Sequence, residues 1–390
     1  MRLSRVDRSL LAAWWFTVDR VLLAAIIILI TIGVVLSLAA SPAVAVRKGL
    51  KTFYFVERHL VFSALGFIVI VTLSFFSPSF VRRLALAILA LTLISLIWVL
   101  MAGAEINGAR RWLDIGGYSL QPSEFAKPAL IVILAWLFAQ SKIRTDMPAL
   151  PLAMICGVVF ITLIALQPDI GQATLIAMVW LVLYLLSGQR LMGVGILSGA
   201  LVTGLLSAYF VFDHVRARFD LFLKPLTGPH TQLGRAMESF VQGGFFGRGP
   251  GEGTIKTRFP DAHNDFIFSV VAEEYGVLAC LGILALFALI VLRCFLRAER
   301  EPRAADRLAI QGLALVFGLQ ALINMGVNVG LLPAKGMTLP FISAGGSSML
   351  AISLTLGMLL SFTRRRVEPL LPDRTRSIKV GGMSPLVRRR

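Results

Sequence analysis

Charge is scarce in this chain, and acid scarcer still. Of 390 residues only 15% are Asp, Glu, Lys or Arg, and 21 acids face 38 bases, for a formal net charge of +17. A soluble domain carries about 25% charged residues, so an ordinary water-facing surface is excluded. Cysteine is nearly absent: Cys156, Cys280 and Cys294 lie in or beside apolar segments without metal-ligand spacing, which excludes a disulfide framework or zinc knuckle and leaves them as small buried hydrophobes. The remaining histidines, His59, His214 and His230, form no ligand-like spacing either. What is abundant is apolar: 57% of residues are hydrophobic and the mean hydropathy is +0.81. The positive charge sits between apolar runs and in the tails, where it reads as topology signal and contact to anionic lipid, not as a nucleic-acid surface.

A membrane-spanning helix needs about 20 apolar residues. Runs of that kind lie at 21–40, 59–76, 84–102, 122–140, 149–166, 170–187, 192–212, 266–292, 308–330 and 345–363. The expected fold is an all-α integral membrane protein of about ten transmembrane helices, with a large loop, 213–265, between helices seven and eight. Residues 1–20 form a leading segment, 21–363 the polytopic domain, and 364–390 a basic tail whose composition predicts disorder. The first run is too long for a signal-peptide core. It follows Arg2, Arg5 and Arg8, with Trp14 and Trp15 at interface depth. Ten spans put both termini on one side. Lys and Arg concentrate in both tails and at 82–83, 142–144, 190 and 293–307, and are sparser in the opposite short loops. The positive-inside rule then places both ends in the cytoplasm and the large loop outside.

The unusual residues crowd that outer side. The glycine-dense stretch Gly243-Gly244-Phe245-Phe246-Gly247-Arg248-Gly249-Pro250-Gly251-Glu252-Gly253 permits close backbone approach to a ligand, or is a flexible connector. Next comes Phe259-Pro260-Asp261-Ala262-His263-Asn264-Asp265-Phe266-Ile267-Phe268, in which Asp265 stands where loop becomes apolar helix. It reads equally as a helix N-cap or as a general base at the lipid boundary. Glu273 and Glu274 follow inside the same span, and carboxylates there mark a functional site by default or pair with a basic group on a neighbouring helix. A second constellation runs from Glu105 through Gly108-Ala109-Arg110-Arg111-Trp112 to Gln121-Pro122-Ser123-Glu124 and Lys127. Arg110 and Arg111 outside the membrane invite an anion such as phosphate. Trp112 suits the interfacial belt, and Glu124 and Lys127 are spaced to pair with each other. The third, Leu332-Pro333-Ala334-Lys335-Gly336-Met337-Thr338-Leu339-Pro340-Phe341-Ile342-Ser343-Ala344-Gly345-Gly346-Ser347-Ser348, breaks helix at membrane depth. Irregular backbone there must be buried in protein or line a wet cavity. Together these residues describe an outward cavity suited to an anionic lipid. They leave open whether it polymerises such a lipid, transports it, or merely scaffolds other proteins.

With Gln167-Pro168-Asp169 and Ile342-Ser343-Ala344-Gly345-Gly346-Ser347 added, the same segments resemble, in family order, the signatures of the SEDS family (shape, elongation, division and sporulation). Pro260-Asp261-Ala262-His263 and Lys335-Gly336-Met337-Thr338-Leu339-Pro340 are more similar to its cell-division branch than to its elongation branch. Asn264 and Ala344 depart from the usual Thr or Ser and the usual bulky residue, and neither change removes a charge. The resemblance implies a peptidoglycan glycosyltransferase of the bacterial inner membrane at the division septum. Its substrate would be lipid II, an undecaprenyl-pyrophosphate-linked disaccharide-peptide. The family's essential aspartate matches Asp265. Arg110, Arg111 and Lys127 become candidates for pyrophosphate counter-charge, with a divalent cation as the alternative. Trp112, Glu124, His263, Lys335, Ser343, Gly345 and Gly346 complete the expected binding set. The implied partner is a class B penicillin-binding transpeptidase with a single span, among other division membrane proteins.

Overall fold

The computed structural model describes residues 9–106, 109–223, 231–258, 263–333 and 336–365. Lys335, Asp261, Gly108 and the tail beyond 365 lie outside the described residues.

Each apolar run becomes a helix, and the residues at its ends explain its limits. A short α1 (Leu10–Thr17) precedes α2 (Arg20–Arg47), whose N-cap Asp19 accepts from Val21 N and Leu22 N, both at 3.2 Å. Helix α3 is Tyr54–Phe75, and α4 (Pro78–Ala102) starts from Ser77 as cap with proline in its first turn, where the missing N–H is harmless. Helix α5 (Pro122–Gln140) also begins on proline, and α6 (Ala149–Leu166) ends at the Gln167-Pro168 corner. Asp169 then caps α7 (Ile170–Leu186) through Gln172 N at 3.3 Å, and α8 is Leu191–Val211. The final spans are α11 (Ile267–Ala298), α12 (Ala304–Asn328) and α13 (Gly346–Thr363). Among the described residues nine helices are long and apolar enough to cross a membrane, and α7, at 17 residues, is the short tenth.

The structure departs from a purely helical bundle between α4 and α5. Residues Ala104–Ile106, Ala109–Ile115 and Tyr118–Leu120 form an antiparallel sheet, β1-β2-β3. Gly116 and Gly117, at φ +60° and +83°, make the two-residue turn between β2 and β3, and Asp114 Oδ1 accepts from Gly117 N at 3.0 Å. The segment read as one long loop also has structure of its own: α9 (Asp213–Leu223), the amphipathic α10 (Gln232–Gly243) and a 3₁₀ turn at Ile255–Arg258.

Helices α5, α12 and α13 form the buried centre, whereas α8 is only 6% buried and stands at the edge. Helix α3 packs mainly on α13, and α5 on α4 and α12. One end of the bundle, the termini face, is fastened by ions. Arg82 pairs with Asp306 at 2.7 Å, Arg364 Nη1 reaches Phe75 O at 3.1 Å, and Asp19 receives Arg293 at 3.0 Å as well as Arg297. The opposite end, the loop face, carries the sheet, α10 and the 3₁₀ turn.

Asp19 caps one helix while binding two arginines of another. Burial alone would raise its pKa, but hydrogen bonds from Arg297 and Arg293 outweigh this and hold it below the ordinary carboxylate value. Its contribution to stability is therefore complete above the unfolded carboxylate range and fades as pH falls below about 4. Asp19→Ala strands both arginines and costs about 3 kcal/mol. Thermal melting in detergent at pH 7 reads this as a lower midpoint, and the native–variant gap narrows in acid.

Candidate functional site

The loop face is built around a break in α11. Gly276 sits at φ +79°, ψ 176°, which splits the helix and frees backbone groups on both sides. The glycine loop satisfies them. Arg248 N and Gly249 N donate to Glu273 O and Glu274 O, each at 3.0 Å, while Val277 N and Leu278 N donate to Gly244 O and Phe245 O at 2.9 and 3.3 Å. A Cβ on Gly243, Gly247 or Gly276 would collide with the facing backbone, so glycine is required at all three. This stretch is a packed splice, not a flexible connector.

Glu273 and Glu274, both fully buried, hold the same loop from below. Glu273 accepts from Thr254 N, Ile255 N and Lys256 N at 2.6, 2.8 and 3.2 Å. Glu274 accepts from Gly251 N at 3.0 Å and pairs with Lys256 Nζ at 2.5 Å. Lys256 also reaches Ala39 O of α2 at 3.0 Å. The carboxylates within the span thus have their basic partner, supplied by the loop and not by a neighbouring helix.

The first half of α11 carries Asp265 at its head. The cap position falls one residue later, on Phe266, and the N–H of Ser269 is satisfied by Asn328 Oδ1 at 3.1 Å. Asp265 is therefore not itself the N-cap residue of α11. Its backbone carbonyl accepts from Asn324 Nδ2 at 3.0 Å and Asn328 Nδ2 at 2.9 Å, both on α12. Its side chain is half-buried and faces Gly336, where a Cβ would lie 3.5 Å from Oδ2. The broken-helix loop between α12 and α13 closes over this point. Asn324 also holds Met337 O at 2.6 Å, Ser343 Oγ donates to Asn264 O at 2.7 Å, and Ala344 N donates to His263 O at 2.9 Å. Phe341, buried at φ +60°, takes a conformation rare for a bulky residue. The His263 ring rests on Phe55 of α3, centroids 4.5 Å apart.

A chain of polar contacts ties the second constellation to the same place. Arg111 donates to Gln167 O at 3.1 Å and to Pro168 O, with Asp169 at 3.9 Å. Asp169 accepts from Gln121 Nε2 at 3.0 Å, and Gln172 Nε2 donates to Glu124 at 2.5 Å. Glu124 pairs with Lys127 at 2.9 Å, and Lys127 donates to Gln320 Oε1 on α12 at 2.7 Å. Gln320 continues to Thr338 O at 3.2 Å, and Thr338 meets Ser348 at 2.6 Å. Motifs far apart in sequence converge through α12.

Of the residues singled out from sequence, Glu124, Lys127, His263 and Ser343 are buried in this network, and Arg111 is partly buried beside it. Arg110 is exposed on β2 and Trp112 is half-buried opposite Ala104. Gly345 is the N-cap of α13, and Gly346 lets that helix approach the Phe62 ring. Four residues were not anticipated. Gln320, Asn324 and Asn328 recur every fourth residue in α12, an amide ladder on one face of an apolar span. Arg218 of α9 lines a cavity of about 30 Å³ with Arg111, Asp169 and Pro333. Burial and the nearby Arg111 push its pKa below the ordinary arginine value, while Asp169 and Asp265 oppose them. Among the described residues no three His, Cys, Asp or Glu side chains gather in a metal-ligand cluster.

Fold and site together define a polytopic helical membrane protein with a polar, carboxylate-bearing centre at one face of the bundle. The family FTSW_RODA_SPOVE, described as cell cycle protein, matches residues 19–368. The chain belongs to this family, the SEDS proteins. It is 43% identical over 364 residues to the "Probable peptidoglycan glycosyltransferase FtsW" of Caulobacter vibrioides, covering 93% of each chain. With the protein of the same description from Halothiobacillus neapolitanus it shares 36% over 361 residues, 88% of this chain and 85% of that one. Among solved structures it is similar to a chain from work on "structural coordination of polymerization and crosslinking by a peptidoglycan synthase complex", with TM-score 0.73, 30% identity, and 89% and 97% of the two chains covered. It is also similar to the rod shape determining protein RodA of Thermus thermophilus, with TM-score 0.66, 28% identity, and 90% and 97% covered.

Asn328 is the joint between α12 and the head of α11. Asn328→Ala leaves the Asp265 carbonyl and the Ser269 N–H without this partner, at a cost of about 2 kcal/mol. A lower melting midpoint in detergent is the expected result, and an unchanged one would show that these groups find other partners. Gly276→Ala is more severe, because a left-handed φ and a backbone collision coincide, with strain alone of about 1–3 kcal/mol. The expected outcome is loss of folded protein in membrane extracts.

Proposed function

We propose that this chain is a peptidoglycan glycosyltransferase that polymerises lipid II, with Asp265 as general base. The observation that carries the reading is the placement of Asp265. It stands at the head of a broken helix, gripped through its carbonyl by two asparagines, half-buried on the face where the family's motifs converge. The relatives' description as FtsW glycosyltransferases supports the same activity.

In the reaction, the Asp265 carboxylate takes the proton of the acceptor 4-hydroxyl as its oxygen bonds to the donor's anomeric carbon. The bond from that carbon to the pyrophosphate oxygen breaks, the electron pair leaves with undecaprenyl pyrophosphate, and the anomeric configuration inverts. A well-placed base contributes about 10²–10⁴-fold. Arg218 lies within electrostatic reach of Asp265.

Sequence charge bias supports cytoplasmic termini, which would turn the loop face toward the periplasm, where the disaccharide must be joined. The solved complex of a relative supports a transpeptidase partner, and the FtsW relatives support a role at the division septum.

The test is glycan-strand formation from labelled lipid II by the chain with its transpeptidase partner. The native complex should form polymer, and Asp265→Asn, matched in folding, should lose at least about 100-fold in rate. Equal polymer from both would remove Asp265 as the base. No polymer from an intact native complex would overturn the polymerase in favour of a lipid transporter or a scaffold.

A further inference from the structure

At the termini face, helix α1 has no charged residue in its length, and most of it is bare. Trp14 fastens it to the end of α3. Its ring stacks on Phe75, centroids 5.0 Å apart, and its Nε1 donates to Ser74 Oγ at 2.7 Å. Leu10, Leu11, Trp15 and Phe16 are exposed. A contiguous apolar patch is not left to water, and at the end of a membrane bundle a tryptophan-bearing one belongs at headgroup level. Arg20, the first residue of α2, turns back onto this patch. Its Nε donates to Trp15 O at 3.3 Å, and its guanidinium lies 4.9 Å from the Trp15 ring centroid and 5.5 Å from that of Phe16. The adjacent carboxylate, Asp19, is taken by Arg293 and Arg297. Three arginines against one aspartate leave this corner positive, and Arg2, Arg5 and Arg8 precede it in sequence.

Arg20 heads a groove of about 360 Å³ between α2 and α11. Val21, Ala24 and Ile28 form one wall, Leu286 and Leu289 the other, and the lining holds no acid. Val21, Ile28 and Leu289 are exposed, so the groove opens sideways to the bilayer. The two walls agree in polarity along the helix axes: Arg20 stands above Ala24 and Ile28, and Arg293 stands one turn beyond Leu289. From Arg20 to Ile28 the helix advances about 12 Å, less than half of a hydrocarbon core about 30 Å thick. That length suits an acyl chain of one leaflet and falls short of a crossing helix. Stacking on indole uses the faces of the guanidinium and leaves its Nη edge to a phosphate, whose geometry the fork matches.

We infer that Arg20, α1 and the α2–α11 groove bind an anionic phospholipid of the leaflet at the termini face, with its phosphate on the guanidinium and one acyl chain in the groove. The site lies at the opposite end of the bundle from Asp265 and does not depend on the polymerase reading. The delipidated chain in detergent is titrated with dioleoylphosphatidylglycerol, dioleoylphosphatidylcholine or glycerol 3-phosphate, and the first bound molecule is followed by native mass spectrometry. Native protein should bind the anionic lipid at least about fivefold more tightly than the zwitterionic one, the scale of one basic side chain against an anionic lipid. Arg20→Gln should remove that preference, and Arg20→Lys should keep most of it. Ala24→Trp, which fills the groove, should weaken both lipids, and it carries the test if Arg20→Gln does not fold. An undiminished preference in Arg20→Gln of native melting point overturns the assignment, as does unchanged lipid binding by Ala24→Trp. Equal native binding of the two lipids marks ordinary boundary lipid and also overturns it. Glycerol 3-phosphate bound as tightly as the anionic lipid marks a free-phosphate site instead. Displacement of the bound lipid when the transpeptidase partner assembles gives the groove to that partner's span and overturns the lipid.

Discussion

In a bilayer core no backbone N–H or C=O can turn to water, and the break in α11 at Gly276 is where that constraint governs the molecule. Splitting the helix there exposes carbonyls from its first half and amides from its second. The only backbone able to answer both at once is one that lies flat against the break, and the glycine loop does so from Gly244 to Gly249. The rest of the loop face follows. Helix α10 must pack on α11 to deliver that loop, and the 3₁₀ turn must sit where Glu273 can take its three N–H groups. Lys256 must then neutralise Glu274. Once this splice is made, the first half of α11 is rigid, and so is the position of Asp265 at its head.

Buried charge is organised by the same economy. Removing an ion from water is costly, and a buried pair recovers the cost only with good geometry and further hydrogen bonds. Lys127 has both, with a carboxylate on its own helix and an amide on α12. That arrangement fixes the register of α5 against α12 and leaves the ammonium little to give a ligand. Arg111 is similar, because two carbonyls at the α6–α7 corner and Asp169 surround it. Arg218 on α9, which the obvious motifs do not include, faces the same Asp169 from the other side of a small cavity.

The ten helices were legible because apolar length in lipid is nearly sufficient to define a span. Even the Gln167-Pro168-Asp169 corner was marked by its proline and its capping acid. The β-sheet was not legible, since its strands are short and depend on a Gly-Gly turn and on packing against α4 and α5. The glycine loop gave an ambiguous signal. Glycine permits both flexibility and close approach, and only the facing backbone decides between them. Asp265 stood out as an acid at a helix start, but its two holders did not, because they lie about 60 residues away in sequence. Yet Gln320, Asn324 and Asn328 carried a readable sign: three amides at fourfold spacing in an apolar span share one face and must bond to something there. Arg218 could not be distinguished from a topology signal by charge alone.

How Asp265 is held bears on what it can do. A general base changes its own hydrogen bonding in the reaction: it must meet the acceptor hydroxyl, gain a proton and lose it again. If its position depended on bonds made by the carboxylate, each turnover would loosen it. Here the grip of Asn324 and Asn328 is on the carbonyl, a group the chemistry does not touch. The same two side chains also bond Met337 O and Ser269 N, so Asp265, the loop over it and the helix behind it are fixed by one pair of residues. Any contact the carboxylate makes in the resting protein can therefore be exchanged for substrate without displacing the residue.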